Sequence, residues 1–344
     1  MMLSLLFWIT VAAISTAILW KGSDWLEQAS EKLSIYYELP DIVQGALVVA
    51  IGSSFPELAT VVISTLVHGE FQLGVAAIVG SAIFNILIIP AASGLVATHP
   101  LRSNRDLVYK EAQFYMISVA VLLITFSFAV IYYPVPSEPG IILGNMDRLL
   151  ALLPLMFYGF YIFIQYQDTM DFVSDIEATD IRPLQQWGLL VASLAVILLG
   201  VELLVRSAIE LGNLLGTPSF LWGISVVAAG TSIPDAFVSI KKAKKGDGIT
   251  SLANVLGSNV FDLLVCIPVG VLIAGAAVIN FSVAAPLMGA LTLATLALFS
   301  FMRTNMILGR KESATLIVLY LLFLLWMGLE NFGLIDSIPS LPAG

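Results

Sequence analysis

Three acidic residues lie where acids are costly to keep. Glu57 falls in "AIGSSFPELAT" (residues 50–60), Asp235 in "GTSIPDAF" (230–237) and Asp262 in "GSNVFD" (257–262), each within a long apolar run. Ionisable side chains in such runs are functional by default, because hydrocarbon solvates charge badly. Hydroxyls crowd the first two acids, Ser53 and Ser54 beside Glu57 and Thr231 and Ser232 beside Asp235, and a proline precedes each acid. Pro56 has no backbone N–H, so the carbonyl of Gly52 loses its helical partner; Pro234 does the same to Gly230. A carbonyl freed at membrane depth is tolerated only where it faces protein, water or an ion. The motifs gather hard oxygen donors and contain no His or Cys. Such a set favours Ca2+, Na+ or Mg2+ over zinc or copper.

Each feature taken singly has a plainer explanation. A lone Gly-Ser-Pro interruption of a membrane helix is a packing or hinge feature. Small residues such as Gly80, Ser81, Gly257 and Ser258 let helices approach closely without binding anything. A lone membrane Asp can pair with a buried Lys, yet no Lys or Arg lies mid-span in the motif segments. What outweighs these explanations is that interruption, hydroxyls and acid occur twice, in register.

The elements that must position these residues cross a membrane. Only 11% of the 344 residues are charged and 59% are hydrophobic, and the mean hydropathy is +0.97; a soluble domain carries about 25% charged residues. Apolar runs long enough to cross a hydrocarbon core of about 30 Å recur from end to end. They predict ten spans, near 3–33, 42–67, 72–98, 107–133, 148–166, 185–212, 219–241, 249–277, 281–302 and 314–332. The first lacks the basic flank and small-residue cleavage site of a signal peptide and is read as a mature helix. An acidic linker, 167–184, separates a first five-helix repeat (1–166) from a second (185–344). Its "QDTMDFVSDIEATDIR" does not match the spacing of a calcium-binding loop and reads as a solvated connector. The single cysteine, Cys266, lies in an apolar run and provides neither a disulfide framework nor a thiolate cluster. His68 and His99, near segment ends, read as interfacial polar residues. The net charge of −9, with no basic stripe or aromatic RNA-binding motif, gives no nucleic-acid partner.

The two halves are copies of one design. A shift of 178 residues lays Gly22 on Gly200, Pro40 on Pro218, Gly45 on Gly223 and Gly52 on Gly230. "GSSFPELA" then lies over "GTSIPDAF", placing Pro56 on Pro234 and Glu57 on Asp235. After a one-residue slip, "GSAIFN" (80–85) lies over "GSNVFD". A run of matches in this order marks an internal duplication. Because each copy holds an odd number of spans, the second enters the bilayer from the opposite face. The expected fold is an all-α membrane protein of ten transmembrane helices arranged as two inverted repeats. Such repeats characterise secondary transporters, whose ion sites lie at the repeat interface near the midplane.

The motifs "GSSFPEL", "GSAIFN", "GTSIPD" and "GSNVFD", in that order, resemble the two alpha-repeats of the cation/calcium antiporter superfamily, which contains the sodium/calcium exchangers. The resemblance covers essentially the whole chain. It implies a site built from kinked helices 2, 3, 7 and 8. By position, it makes Glu57 and Asp235 the central Ca2+ carboxylates and Asn85 and Asp262 the paired ligands of helices 3 and 8. Ser54 and Ser232 then contribute hydroxyls, Ser53 and Thr231 flanking oxygens, and Ala50 and Ala228 backbone carbonyls. Ser81 and Ser258 line peripheral Na+ positions. Ala82 in "GSAIFN" and Asp235 in place of Glu resemble the animal-type exchangers, and Asp262 resembles the potassium-dependent sodium/calcium branch. The implied activity is antiport of Ca2+ against Na+, with K+ co-transport open and no cofactor beyond the transported ions. Asn254 and Asn259 either line the site or cap and pack helices, with packing the favoured reading.

Three negative charges in one low-dielectric site resist exposure to the bilayer interior unless cations neutralise them; one central charge costs at least ~2.5 kcal/mol. A site loaded with Ca2+ or several Na+ can switch faces, whereas an empty one resists, and obligatory exchange follows. The family resemblance assigns the motion to spans 1 and 6, whose ends (21–33 and 202–212) would slide over the other eight. Protons also neutralise carboxylates, so a H+-coupled Ca2+ or Mg2+ antiporter is the alternative; the hydroxyl and carbonyl oxygens beside Glu57 tilt the balance to Na+. An intramembrane aspartyl protease would place Asp in "YD" and "GxGD" within spans, but "KKGDG" (244–248) lies in a basic loop and Glu57 goes unexplained. No enzymatic activity is expected. A passive channel differs by its unitary currents.

Loop charge orients the chain. Thirteen of the 15 Lys and Arg residues fall at or near the 1–2, 3–4, 5–6, 7–8 and 9–10 connections, and only Arg148 and Arg206 belong to the other side. Basic loops stay cytoplasmic, so both termini are extracytoplasmic, and the expected location is the cell membrane, in contact with lipid and inorganic cations. The oligomeric state is not set by the sequence, and a monomer is compatible with it. A protease site inserted at Gly246 should be cut only from the cytoplasm, and epitopes at the two termini should be read only from outside in intact cells. The reverse pattern would invert the topology.

Overall fold

The computed structural model describes residues 2–37, 50–97, 100–169, 181–331, 333–335 and 338. The described residues form helices α1 (Met2–Tyr36), α2 (Ala50–Ser53), α3 (Phe55–Leu66), α4 (Phe71–Val96), α5 (Ala112–Tyr132), α6 (Arg148–Thr169), α7 (Pro183–Leu215), α8 (Ser219–Trp222), α9 (Ala228–Lys244), α10 (Gly248–Phe261), α11 (Ile267–Ala274), α12 (Phe281–Arg303) and α13 (Arg310–Asn331). Wide π-helical turns at Asp106–Glu111, Gly223–Val227 and Asp262–Cys266 join α5, α9 and α11 to what precedes them. Among the described residues nine helical stretches are long and apolar enough to cross a membrane, and α3 is a shorter apolar helix. The nine lie within a few residues of the expected spans, and α2 and α3 occupy the described part of the second. The start of the second span (42–49), the middle of the acidic linker (170–180) and His99 fall outside the described residues.

Burial sorts the helices into an inner and an outer set. In the most apolar stretch of each, 83% of residues are buried in α4 and 72% in α10–α11, against 17% in α1 and in α6. α4 accordingly reads as apolar on every side, as a helix enclosed by others must. α1 and α7 pack mainly on each other, through small residues that let their backbones approach. A Cβ placed on Gly22 of α1 would meet Ile197 at 2.8 Å, and one on Gly200 of α7 would meet Leu19 at 2.9 Å.

Two small antiparallel sheets fasten the ends. β1 (Leu101–Arg102) pairs with β5 (Ile307–Leu308), while β2 (Pro134–Val135), β3 (Leu143–Asp147) and β4 (Ala276–Asn280) form a second sheet in that order. Its register runs from Leu143 opposite Asn280 to Asp147 opposite Ala276. Since α12 runs from β4 to β5, the sheets lie at opposite ends of the bundle. One joins the 3–4 and 9–10 connections and the other the 4–5 and 8–9 connections, a grouping that agrees with the loop-charge assignment. Arg148, one of the two basic residues on the basic-poor side, donates from Nε to the carbonyl of Leu272 at 3.0 Å, near the end of α11.

Not every duplicated glycine is duplicated in its surroundings. A Cβ on Gly80 of α4 would collide with the backbone oxygen of Ile224, whereas nothing lies within 4 Å of one on its sequence counterpart Gly257. Gly80→Ala should therefore destabilise the protein by about 1–3 kcal/mol, the usual cost of overpacking against backbone. Gly257→Ala should melt in detergent within a degree or so of the wild type. Equal melting shifts for the two variants would contradict the packing described.

Candidate functional site

The local sequence explains how Glu57 is presented. Ser54 separates α2 from α3 with φ −93° and ψ 9°, so Phe55 and Pro56 occupy the first turn of a new helix. There a missing N–H costs nothing, because the first N–H groups of a helix have no partner anyway. Glu57 follows in that first turn, where the helix dipole favours negative charge. The second half solves the same problem differently. α9 runs continuously through Pro234, and the irregular turn lies upstream at Gly223–Val227. Asp262 opens another wide turn, Asp262–Cys266; such turns often mark functional sites. Asn85 sits within the unbroken α4.

These elements bring the expected side chains together in one buried cluster. Glu57, Asp235, Asp262, Asn85, Ser53, Ser54, Ser81, Thr231, Ser232 and Ser258 are all between 0% and 5% exposed. Ser258 donates to Asp235 Oδ2 at 2.5 Å, and its Oγ pairs with Ser54 Oγ at 2.7 Å. Ser81 donates to Glu57 Oε1 at 3.4 Å, and its Oγ pairs with Ser232 Oγ at 2.7 Å. A hydroxyl has one proton to give. Ser81 and Ser258 therefore cannot donate to a carboxylate and to their partner serine at once, and in each serine pair either hydroxyl can be the donor. Two serine–serine links result, each crossing from one half of the chain to the other.

Asn85 completes the cluster by donating from Nδ2 to Asp235 Oδ2 at 3.5 Å and to Asn259 Oδ1 at 3.0 Å. Thr231 lies against Glu57 and turns its hydroxyl to the carbonyls of Val227 and Ala228, both at 3.2 Å. The Ala228 carbonyl thus accepts from its own helix. Ser53 neighbours Asp235, and Ala50 opens α2. Asp262 neighbours Ser54, and the Cys266 thiol is 3.8 Å from its Oδ1.

Four buried oxygens in this cluster have no hydrogen-bond donor: Glu57 Oε2, Asp235 Oδ1, Asp262 Oδ2 and Asn85 Oδ1. Buried acceptors left this way are rare and call for a reason, and a cation is one. Among the described residues no three of His, Cys, Asp and Glu assemble as a ready-made metal cluster. A cation held here must combine carboxylate with neutral hydroxyl and amide oxygens, a donor set suited to Na+ and Ca2+.

Two roles emerge that spacing did not reveal. Ser81 and Ser258, expected at the periphery, are direct donors to the carboxylates. Asn259, expected to pack helices, does so by donating to the Ala82 carbonyl at 3.1 Å, and its other end holds Asn85. The available signal was the motif position at which Asn259 stands opposite Ala82 in the duplicated sequence. Asn254 packs α10 on α9 through Ser239 at 3.3 Å, and His68 pairs with Glu202 of α7 at 2.9 Å.

The apolar helices and their enclosed oxygen cluster define a multi-pass integral membrane protein with a polar site deep in its interior. The chain belongs to the sodium/calcium exchanger protein family, whose pattern matches residues 7–167 and 185–329. It is 26% identical over 305 residues to an uncharacterized membrane protein of Methanocaldococcus jannaschii, spanning 89% of this chain and 93% of that one. It is 24% identical to the sodium/calcium exchanger MaX1 of Methanosarcina acetivorans, over 91% and 96% of the two chains. The fold matches that of the sodium-calcium exchanger NCX_Mj soaked with Na+ and Sr2+, with a TM-score of 0.62 and 23% identity over 92% and 98% of the chains.

The position of Asn259 yields a test. Replacement by Ala releases the Asn85 amide, and outer partners of this kind change cation affinity about 10–100-fold. Calorimetric titration of the purified Asn259→Ala protein with Ca2+ should register a loss of at least about tenfold; wild-type affinity would leave Asn259 a packing residue alone.

Proposed function

We propose that this protein is a secondary antiporter that exchanges Ca2+ for Na+ by alternating access. The observation that carries the proposal is the set of four unpartnered oxygens on Glu57, Asp235, Asp262 and Asn85, buried among hydroxyls from both halves of the chain. In this reading Glu57 and Asp235 are the central Ca2+ carboxylates, Asn85 and Asp262 flank them, and Ser54 and Ser232 add hydroxyls. Ser81 and Ser258 orient the carboxylates and line Na+ positions, with Ser53, Thr231 and the Ala50 and Ala228 carbonyls at the margin. The names of relatives such as MaX1 and NCX_Mj point the same way.

The arrangement in two inverted five-helix repeats, 1–166 and 185–344 about an acidic linker, belongs to the same proposal. Its support is reciprocity, the mark of a two-fold relation: residue i meets j, and the counterpart of j meets the counterpart of i. Ser54 meets Ser258 while Ser232 meets Ser81. Gly22 meets Ile197 while Gly200 meets Leu19. The interruptions at Ser54, Gly223–Val227 and Asp262–Cys266 supply the broken helices such carriers use. α1 and α7, which pack mainly on each other outside the enclosed helices, form the moving unit. Neutralisation by Ca2+ or by Na+ permits the switch, which makes exchange obligatory. The basic loops face the cytoplasm, the termini face outward, and the host is the cell membrane.

Asp262 favours K+ co-transport as a second reading. The chain is 40% identical to human sodium/potassium/calcium exchanger 4 over a local stretch of 102 residues, 29% of this chain and 16% of that one. Labelled Ca2+ uptake into proteoliposomes under opposed Na+, K+ and H+ gradients separates the cases. A Na+ gradient should drive uptake, and added K+ should raise it only under the second reading. Uptake driven by a pH gradient and indifferent to Na+ would instead make the protein a H+-coupled Ca2+ or Mg2+ antiporter. Glu57→Gln and Asp235→Asn should each abolish uptake while the protein stays folded and inserted. Wild-type rates in either would place the site elsewhere.

A further inference from the structure

We infer that a cleft between α1 and α9 is the route by which cations reach the site from the lysine-rich face, with Glu27 as a recruiting carboxylate and Lys242 as its opposing charge. The inference deepens the proposed exchange function and rests on it. The cleft has a volume of about 630 Å3 and runs from the lysines that end α9 to Ser53 and Pro234. Ser53 neighbours Asp235, so the inner end of the cleft reaches the margin of the oxygen cluster.

The walls come from one face of each helix. Trp20, Ser23 and Glu27 recur at helical spacing on α1, as do Pro234, Val238 and Lys242 on α9. Trp20 stacks on Phe237 with ring centres 4.4 Å apart and closes one side. Two observations make this more than an acidic groove. Ser23 lines the cleft, is 3% exposed, and its Oγ has no hydrogen-bond partner. An unpaired buried hydroxyl beside a passage is free to replace part of an ion's water shell. Second, Glu27 lines the cleft together with Lys242 and Ser53, close enough to feel the charges of both Asp235 and Lys242.

The acids of the cleft are not equivalent. Asp24 is held by Lys21 at 2.8 Å, whereas Glu27 is in neither of the ion pairs found among the described residues. The lysines differ likewise. Lys241, Lys244 and Lys245 are exposed at the mouth, where salt screens them. Lys242 is half-buried and interacts electrostatically with Asp235, so its charge is felt along the path. Glu27 raises the local cation concentration and Lys242 lowers it, and both act on a divalent ion more than on a monovalent one.

That charge dependence is the test. Half-saturating Ca2+ and Na+ would be measured on each face, using inside-out and right-side-out membrane vesicles from expressing cells at low ionic strength. On the lysine-loop face Glu27→Gln should raise the value for Ca2+ by about fivefold and for Na+ by about twofold, as expected for one charge roughly 8 Å away in a watery passage. Lys242→Gln should lower both, Glu27→Asp should restore the wild-type values, and inert salt at high concentration should shrink every difference. Equal changes on the two faces, equal factors for the two ions, or the same sign in both variants would overturn the inference. So would a wild-type rate that follows anionic lipid content while Glu27→Gln has no effect, which would make the cleft a lipid-headgroup site. Should Glu27→Gln fail to insert, an unchanged half-saturation in Lys242→Gln would by itself overturn the route. Absence of Na+/Ca2+ exchange in the wild-type protein would sink the proposed function instead.

Discussion

A carboxylate carried into hydrocarbon has lost the water that stabilised its charge, and the surrounding protein has to supply a substitute. Glu57, Asp235 and Asp262 are each no more than 1% exposed. Serine protons answer one oxygen of Glu57 and one of Asp235, and each of the three acids leaves an oxygen with no donor. The hydroxyls are therefore a partial solvation shell, strong enough to hold the carboxylates in place and too sparse to satisfy them. A site of that kind has residual demand for positive charge, and that demand ties the buried polar network to cation chemistry.

The rest of the fold follows from keeping that network dry and close. α4 carries Asn85 and Ser81 at the centre of the bundle, and its lack of a polar face is the consequence of being enclosed. Close approach of α4 to the turn at Gly223–Val227 depends on a glycine facing a backbone carbonyl. In a membrane, apolar contact with neighbouring helices has little advantage over contact with lipid, so small residues and buried hydrogen bonds hold helices together. The serine links do both: they pin helices from opposite halves of the chain and orient the acids. Structure and chemistry share the same bonds.

α1 and α7 stand apart from this economy. They meet each other through Gly22 and Gly200 and present mostly apolar surface outward. Little polar bonding fastens them to the inner helices among the described residues, His68 with Glu202 being one such tie. That contrast is what supports the proposal that α1 and α7 are the moving unit.

Much of this was legible in the sequence. Long apolar runs determined the helices, because backbone groups in hydrocarbon must bond within their own segment. The duplicated motifs determined which acids, hydroxyls and prolines belong together, since two copies of one pattern in register mark matching positions in the fold. Tertiary structure alone decided which oxygen meets which. It set Ser81 on Glu57 and Ser258 on Asp235, linked each to a serine of the other half, and turned Asn259 towards Asn85. It also left no room for a Cβ at Gly80 where Gly257 has space, and left a cleft beside Glu27. Spacing along one helix determines which residues share a face. The direction of a hydrogen bond, or the room for a methyl group, depends on distances between helices far apart in the chain, and only packing sets those.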